Sequence, residues 1–432
     1  MINDKLIKYY YSILIGISLT MLLMSVQTNV PIRFIFFVFA WLPLFINRYA
    51  NKFLVPSVFL YSLVINDNLM EGVSFLPSSG SYMYYIFALL ILLILNVSKY
   101  KNGASIGKNY FLVIVIYIYI TIVDILNLGE VGRYSVHFLF LILIYPFLNT
   151  RRTIYYVLIT YLLISVKLSI IMFVFKDQFA ISVKDMDRYS WIDPNYFAAT
   201  IGIGLVIALL FLLDNLKFNS IILKKVFLLI FIFLTLSTII MSASRGAIVA
   251  VSFVVLLIVF FSKLKANKKI IFALIFLIII LIIFTLGYLD ILIYRFLEED
   301  TLNTGSYRTT IWEYTLTSFF SESLINQFLG SGFEYSYRLP IHMTTHNEFI
   351  GVLTDYGYIG IGLFVSLLIR ITTKKDFFSS SPNLLAFYFV LTTLTLNPIK
   401  TIAFSLLLVV LLRLKEFNDA NQIYTKYNYI RK

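Results

Sequence analysis

Cysteine is absent from this chain of 432 residues. A disulfide framework, a thiolate metal site and a cysteine nucleophile are therefore excluded. Charged residues are also scarce, at 13%, whereas they make up about a quarter of an ordinary soluble domain. Hydrophobic residues make up 60% of the chain. This composition predicts a polytopic membrane protein, whose extracytoplasmic loops must hold their shape by packing.

Long apolar runs predict the membrane spans, because a helix needs about 20 apolar residues to cross roughly 30 Å of hydrocarbon. The run at 53–66, broken by Pro56, and the last two runs are shorter than a comfortable span. The fourteen runs are 9–28, 32–47, 53–66, 82–98, 110–128, 134–149, 154–175, 196–213, 226–242, 247–262, 270–288, 347–369, 384–398 and 401–413.

The fold expected from these runs is an all-α helix bundle of about 14 transmembrane helices, with 12 to 14 as the range. It forms a single integral membrane domain over residues 1–432. One large extracytoplasmic loop, residues 289–346, joins spans eleven and twelve, and residues 414–432 form a short cytoplasmic tail. No internal repeat is visible, which is unlike a transporter built from two similar halves.

The net charge of +13 would indicate nucleic-acid binding in a soluble protein. Here, however, 24 of the 35 basic residues fall in segments on one side of the predicted topology, and ten fall on the other. Such an asymmetry is typical of the positive-inside rule. It predicts that both termini are cytoplasmic, with membrane lipids as partners and no nucleic acid.

Two polar motifs lie at predicted outer helix ends. In the first, Arg188 precedes Asp193, Pro194 and Asn195, where Pro194 suits a first helical turn and Asp193 can cap it. In the second, Arg245 stands on a tight turn among small residues, at a position where a charge is costly and usually retained for a ligand. The structural alternatives are a capped helix start and an interfacial anchor.

Two further motifs belong to the large loop. Arg308 begins an amphipathic helix predicted over 309–320, whose Trp312 and Phe320 we expect to lie on the membrane surface. His342 and His346 are four residues apart, but the glutamate of a His-Glu-x-x-His zinc motif is missing. We therefore predict no metal site and no cofactor. His346 alone suits a general base or a diphosphate donor, with a capping histidine as the structural alternative.

The four motifs together resemble the O-antigen ligase and polymerase superfamily. Ser242 to Gly246 is similar to its Ser-x-Ser-Arg-Gly signature, and Arg308 with Trp312 is similar to its Arg-x-x-x-Trp loop segment. The His346-Asn347 step and the helix start at Asp193-Pro194-Asn195 also match. Residues 355–360, which hold an acidic residue and two glycines, resemble the helix that follows. The resemblance covers about 188–370.

The resemblance implies a bacterial inner-membrane glycosyltransferase that takes a glycan from undecaprenyl diphosphate on the outer face and attaches it to an acceptor hydroxyl without a metal. On that basis we expect His346, Arg245 and Arg308 to be catalytic. Arginine forks would stabilise the departing diphosphate. The expected substrate-binding residues are Arg188, Asp193, Asn195 and Asn347, and Asp193, Glu348 and Glu313 are alternative bases.

Several functions share this pattern. We favour a Wzy-like polymerase that joins lipid-linked oligosaccharide repeat units into O-antigen or capsular polysaccharide, working with a flippase and a chain-length regulator. One alternative is a ligase that transfers the glycan to lipid A-core or to protein. The alternative from another class is a flippase or exporter, in which Asp124, His137 and Lys167 inside spans would couple or bind substrate.

Overall fold

The structure is a computed structural model. It describes residues 90, 107–129, 131–148, 150–174, 180–183, 186–189, 193–212, 225–261, 265–297, 308–372, 381–397, 399 and 401–430. The predicted spans at 9–28, 32–47 and 53–66 lie outside these residues, as does the span at 82–98 except for Leu90.

Helices account for nearly all of the described chain. A short antiparallel hairpin, β1 (Ala180–Val183) and β2 (Met186–Tyr189), is a small departure from the all-α expectation, and it pairs Ile181 with Arg188. The helices are α1 (Lys108–Leu128), α2 (Arg133–Ile144), α3 (Arg151–Val174), α4 (Pro194–Leu212), α5 (Lys225–Met241), α6 (Arg245–Phe261), α7 (Ala266–Thr285), α8 (Asp290–Leu297), α9 (Arg308–Ser321), α10 (Leu324–Leu329), α11 (Tyr335–Arg338), α12 (Glu348–Ile371), α13 (Ser381–Thr395) and α14 (Ile402–Ile430).

Four of these helices, α1, α3, α4 and α12, are long and apolar enough to cross a membrane. Shorter apolar helices overlap α2, α5, α6, α7 and α13. Each predicted span from 110–128 onward coincides with a helix, because a continuous apolar run in lipid must satisfy its own backbone. The chain is thus a multi-pass membrane protein, while the count of fourteen spans is not confirmed.

The core of the bundle is built around α4. This helix is buried along nearly its whole length and packs against α3, α5, α6 and α13. A second group joins α1 to α2 and α12. An apolar helix surrounded on all sides suits the centre of a bundle, so the start of α4 at Pro194 is held firmly at one end of the core.

The predicted large loop is mostly helical, since α8 to α11 lie between α7 and α12. Helix α9 matches the amphipathic helix predicted over 309–320. Its buried residues are Ile311, Thr315 and Phe319, and Phe320 is 53% exposed. The buried stripe therefore turns α9 towards the bundle.

Helix α12 bends at Gly357, where φ is 65° and ψ is −168°. A Cβ there would lie 2.4 Å from the Phe328 carbonyl oxygen. Glycine is required both for the positive φ and for the close approach of the loop backbone. At the other end of the chain α14 runs on to Ile430, so the predicted tail at 414–432 is mostly a continuation of the last helix.

Candidate active site

The first two motifs lie side by side at the start of α4. The Asp193 carboxylate accepts a hydrogen bond from the Asn195 backbone N–H at 2.7 Å, which is the capping contact expected from the sequence. The Ser244 hydroxyl donates to the Asn195 side-chain oxygen at 3.2 Å. The beginnings of α4 and α6 are therefore joined by side chains from both motifs.

The turn between α5 and α6 places Arg245 at the first position of its helix. Ser242 bonds back to the Ile239 carbonyl at 2.6 Å, and Ala243 adopts a positive φ of 50°. Gly246 follows Arg245 and faces α13, where an added Cβ would lie 2.7 Å from the Thr395 hydroxyl oxygen. The small residues of this motif let α6 and α13 approach closely beside a half-buried arginine.

Arg308 reaches the same end of α13 from the loop. Its Nη1 donates to the Thr395 carbonyl oxygen at 2.9 Å. Burial lowers the pKa of Arg308, and the Arg245 charge lowers it further, whereas Asp193 opposes the shift. The two arginines therefore lie close enough to repel, with Asp193 partly compensating them.

Trp312 lies one turn further along α9. Its Nε1–H donates to the Thr345 carbonyl oxygen at 2.6 Å. The half-buried indole therefore directs its N–H into the protein, so Trp312 has a packing contact in addition to the membrane-surface position expected from the sequence. The Arg-x-x-x-Trp segment holds α9 against both α13 and the segment that carries His346.

Asn347 caps α12 and also contacts α13. Its side-chain oxygen accepts from the Phe349 and Ile350 N–H groups at 3.0 and 3.2 Å, and its amide donates to the Leu394 carbonyl at 3.2 Å. His346, just before the cap, is half-buried with a positive φ of 47° and is hydrogen-bonded through Nε2 to the Thr344 hydroxyl at 3.2 Å.

Three of the four motifs therefore contact α13 within Leu394 to Thr395, and the first joins them through Ser244. Residues 229–365 match the family described as O-antigen ligase. This segment is an O-antigen ligase family domain. No curated protein matches the chain. The match includes Arg245, Arg308 and His346, and it confirms the superfamily suggested by the short sequence motifs.

The turn after α13 lies outside the matched residues 229–365 but contacts the O-antigen ligase domain beside His346. Sequence reasoning missed this turn. The Asn397 amide donates to the Thr345 hydroxyl at 3.3 Å. The Ile399 backbone N–H donates to the Glu348 carboxylate at 3.1 Å. The motif Asn397-Pro398-Ile399 could have drawn attention, because asparagine before proline is typical of a turn, but nothing in the sequence shows that His346 and this turn are neighbours.

The buried Glu348 and the half-buried Tyr196 lie close to the charged groups of the site. Glu348 is fully buried and also accepts a hydrogen bond from the Tyr134 hydroxyl. The charges of Glu348, Asp193 and Arg308 all act on the Tyr196 hydroxyl. Glu348 was considered as an alternative base; its two donors make it a buried anchor between α2, α12 and the turn after α13.

Two other residues singled out from the sequence, Arg188 and His342, are not part of this cluster as the structure describes it. The Arg188 backbone lies in β2, and its side chain is not among the groups the structure describes. His342 is exposed and hydrogen-bonded through Nδ1 to the Tyr337 carbonyl at 3.1 Å. Within the described ranges no group of three or more His, Cys, Asp or Glu residues could hold a metal ion.

The buried polar residues of the transporter alternative have structural partners. Asp124 accepts hydrogen bonds from the Gly132 N–H at 3.1 Å, the Ser135 hydroxyl at 3.0 Å and the Phe333 N–H at 3.0 Å. His137 Nδ1 is hydrogen-bonded to the Ile399 carbonyl at 2.7 Å. These contacts fix loops and the turn after α13, which is a sufficient reason for each residue to be buried.

Proposed function

We propose that this protein is a membrane glycosyltransferase that polymerises undecaprenyl-diphosphate-linked oligosaccharide repeat units on the outer face of the membrane. The observation that carries the proposal is the pairing of Arg245 and Arg308 at one end of the bundle. Like charges held together at a partly buried position are costly. An anionic ligand between them would offset that cost, and a diphosphate is the anion that the superfamily resemblance implies.

The arginine pair suits a departing diphosphate. Among the described residues, the one hydrogen bond of the Arg308 guanidinium goes to Thr395, and a guanidinium has five N–H donors. Donors therefore remain for phosphate oxygens, in the forked geometry that arginine provides and lysine does not. Negative charge that develops on the leaving group would be stabilised by fixed cations.

His346 is the proposed general base. The acceptor hydroxyl would attack the anomeric carbon of the lipid-linked glycan and form a new C–O bond. The bond from that carbon to the diphosphate oxygen would break, and the lipid diphosphate would leave with the electron pair. The proton of the hydroxyl would pass to the His346 imidazole. Asp193 and Asn195 would bind the glycan or the diphosphate beside the arginines, and Asn347 would hold His346 in place.

Ligase activity is the second candidate, because the matching family is described as O-antigen ligase. A polymerase uses a second repeat unit as acceptor, whereas a ligase uses lipid A-core or protein. We favour the polymerase because the chain is strongly apolar and rich in aromatic residues, with 31 tyrosines, as surface-glycan polymerases often are. A flippase would supply the repeat units, and a chain-length regulator would set the extent of polymerisation.

The test is reconstitution of the purified protein in liposomes with a synthetic undecaprenyl-diphosphate repeat unit as the sole glycan. We expect a ladder of lengthening glycans and release of undecaprenyl diphosphate. Glycan transfer that occurs only after lipid A-core is added would replace the polymerase with the ligase. Glycan movement across the bilayer without any new glycosidic bond would refute both enzymes and favour the flippase.

A further inference from the structure

The loop backbone between α10 and α11, residues 330–334, is irregular, and side chains of α1 and α12 bind polar groups along it and at its two ends. The Tyr119 hydroxyl donates to the Leu329 carbonyl at 2.9 Å. Asp124 accepts from the Phe333 N–H, and Asp355 accepts from the Tyr335 N–H at 2.9 Å. Water would satisfy such groups in an aqueous loop. Here the two spans do so instead.

Arg338, just after the stretch, and the backbone of α12 bind further polar groups of the same stretch. Arg338 donates to the carbonyl oxygens of Ser331 and Gly332. The Gly332 N–H donates to the Asp355 carbonyl oxygen at 2.8 Å. A backbone whose donors and acceptors are met by protein groups is the form in which irregular structure is tolerated at membrane depth.

The residues of α1 and α12 that contact Leu329 lie well inside the two spans, away from the helix ends on the loop side. Tyr119 is nine residues before Leu128, the last residue of α1, which is about 14 Å along a helix axis. Tyr356, whose carbonyl also accepts from the Tyr119 hydroxyl, lies eight residues into α12 from Glu348, or about 12 Å. Both helices thus place Leu329 more than two turns beneath their outer ends.

Helix α10 exposes its apolar side chains and partly buries its polar ones, which is the opposite of a helix that faces water. Leu324, Ile325 and Phe328 are 72%, 69% and 54% exposed. The polar side chains are half-buried and bonded inside the protein, because Asn326 donates to the Glu322 carboxylate at 3.0 Å. Gln327 donates to the Glu322 carbonyl at 2.9 Å, and the Tyr335 hydroxyl donates to the Glu322 carboxylate at 3.2 Å.

This apolar surface is continuous with the lipid-facing sides of the spans. On α1 the exposed apolar side chains extend up to Leu126, which is 74% exposed and lies above the level of Tyr119. On α12 the exposed Tyr358 stacks edge-on against Phe328, with ring centroids 5.4 Å apart. The helix α10 therefore lies beside surfaces that already face hydrocarbon.

We propose that residues 320–338 form a re-entrant segment whose outer face contacts the acyl chains of the leaflet on the loop side. We call Phe320, Leu324, Ile325 and Phe328 the insertion face. Four exposed apolar side chains of this size would be unfavourable in water and are satisfied in hydrocarbon. This surface is distinct from the arginine site and does not depend on the proposed reaction.

The segment would link the bilayer to the candidate site. Helix α9 runs from Arg308 to Ser321, so its last two residues belong to the re-entrant segment. Insertion of the segment would therefore hold α9 at a defined height, with Trp312 and Arg308 directed at Thr345 and Thr395. A lipid-linked substrate would meet the arginines at a level set by the same leaflet.

The absence of cysteine allows a direct test with nitroxide labels on single introduced cysteines in proteoliposomes. The probes are Ile325→Cys and Phe328→Cys. Ile369→Cys on α12, where the native side chain is 65% exposed, is the lipid-facing reference, and His342→Cys is the water-facing reference. Relaxation by oxygen, which concentrates in lipid, is compared with relaxation by a water-soluble nickel complex.

We expect the labels at 325 and 328 to match the label at 369, with strong relaxation by oxygen and weak relaxation by nickel. Nickel accessibility at either probe equal to that at 342 would overturn the proposal, because the face would then lie in water. Shielding from both reagents would also overturn it, since another protein copy would then cover the face. All four variants carry the change at exposed positions, so comparable membrane levels are expected.

Discussion

At the residue scale, the arginine cluster depends on the guanidinium group as well as on charge. Arg245→Lys keeps the charge but loses the fork, and loss of one preorganised donor typically costs about 3 to 4 kcal/mol of transition-state stabilisation. We therefore expect activity to fall by about 100-fold or more at a normal membrane level. Polymer formation by the purified variant is the measurement.

Arg370→Lys is the matched control for that substitution. Arg370 lies near the other end of α12 and donates to Asn109 at 3.1 Å, so this variant should stay active. Full activity of Arg245→Lys would reduce Arg245 to a point charge or an anchor. Arg338 also lies outside the four motifs, but it is a poorer control because it binds the loop carbonyls of Ser331 and Gly332.

The pKa of Arg308 leads to a second prediction at this scale. Burial and the Arg245 cation lower that pKa, and both would also lower the pKa of a lysine at the same place from its ordinary value of about 10.4. The lysine cation is present below its lowered pKa and is lost as pH rises through it. The activity of Arg308→Lys relative to the unaltered protein should therefore decline towards alkaline pH.

Polymerisation rates between pH 6 and pH 9 would measure this decline. Arg308→Gln, which carries no charge at any pH, should be low throughout and show no such trend in the ratio. A constant ratio for Arg308→Lys across the range would mean that the charge at position 308 is not required.

At the element scale, the close approach of α6 to α13 positions both arginines. In Gly246→Ala the new Cβ would meet the Thr395 hydroxyl oxygen at 2.7 Å and its Cβ at 2.9 Å. Either helix must then move, and Thr395 carries the carbonyl that binds Arg308. Overpacking of this kind costs about 1 to 3 kcal/mol, so we expect activity to fall about 10- to 100-fold while protein remains in the membrane.

Gly362→Ala provides the comparison, because an added Cβ on that glycine of α12 meets nothing within 4 Å. Alanine in a helix interior is favoured over glycine by about 0.5 to 1 kcal/mol, so this variant should be as active and slightly more stable. Equal activity of the two variants would show that the packing of α6 on α13 does not control the site.

Helices were predictable from the sequence where one local pattern determines them. Apolar runs located helices α1 to α7 and α12 to α14, and Asp193 with Pro194 located the start of α4. The interior of the large loop was not predictable in the same way. The acceptor of the Trp312 indole, Thr345, lies 33 residues away in sequence, and only the folded chain brings the two together.

At the scale of the whole molecule, the site is a meeting point of segments that are distant in sequence. The motifs identified Arg245, Arg308 and His346 individually, and the O-antigen ligase family match covers all three. The roles of Thr395, Asn397 and Tyr196 carry no sequence signal, because each depends on where α13 ends relative to α4, α9 and α12. Asp124 could be read from sequence as a coupling residue, and its structural role became clear only from its four loop and helix partners.

The central claim, that the protein forms glycosidic bonds with His346 as the base, is tested most directly by the fate of single repeat units in His346→Ala. A general base must be neutral to accept a proton, and histidines titrate between about pH 5 and 8, so the unaltered protein should also lose activity towards acidic pH. His342→Ala, which changes an exposed histidine of the same loop, is the control.

The measurement is the display of lipid-linked single repeat units on each leaflet of cells that carry either variant. The account predicts that His346→Ala stops chain growth and that single units accumulate on the outer leaflet, while His342→Ala continues to form polymer. Accumulation on the inner leaflet in His346→Ala would contradict the account, because it would mean that the protein acts before the units cross the membrane.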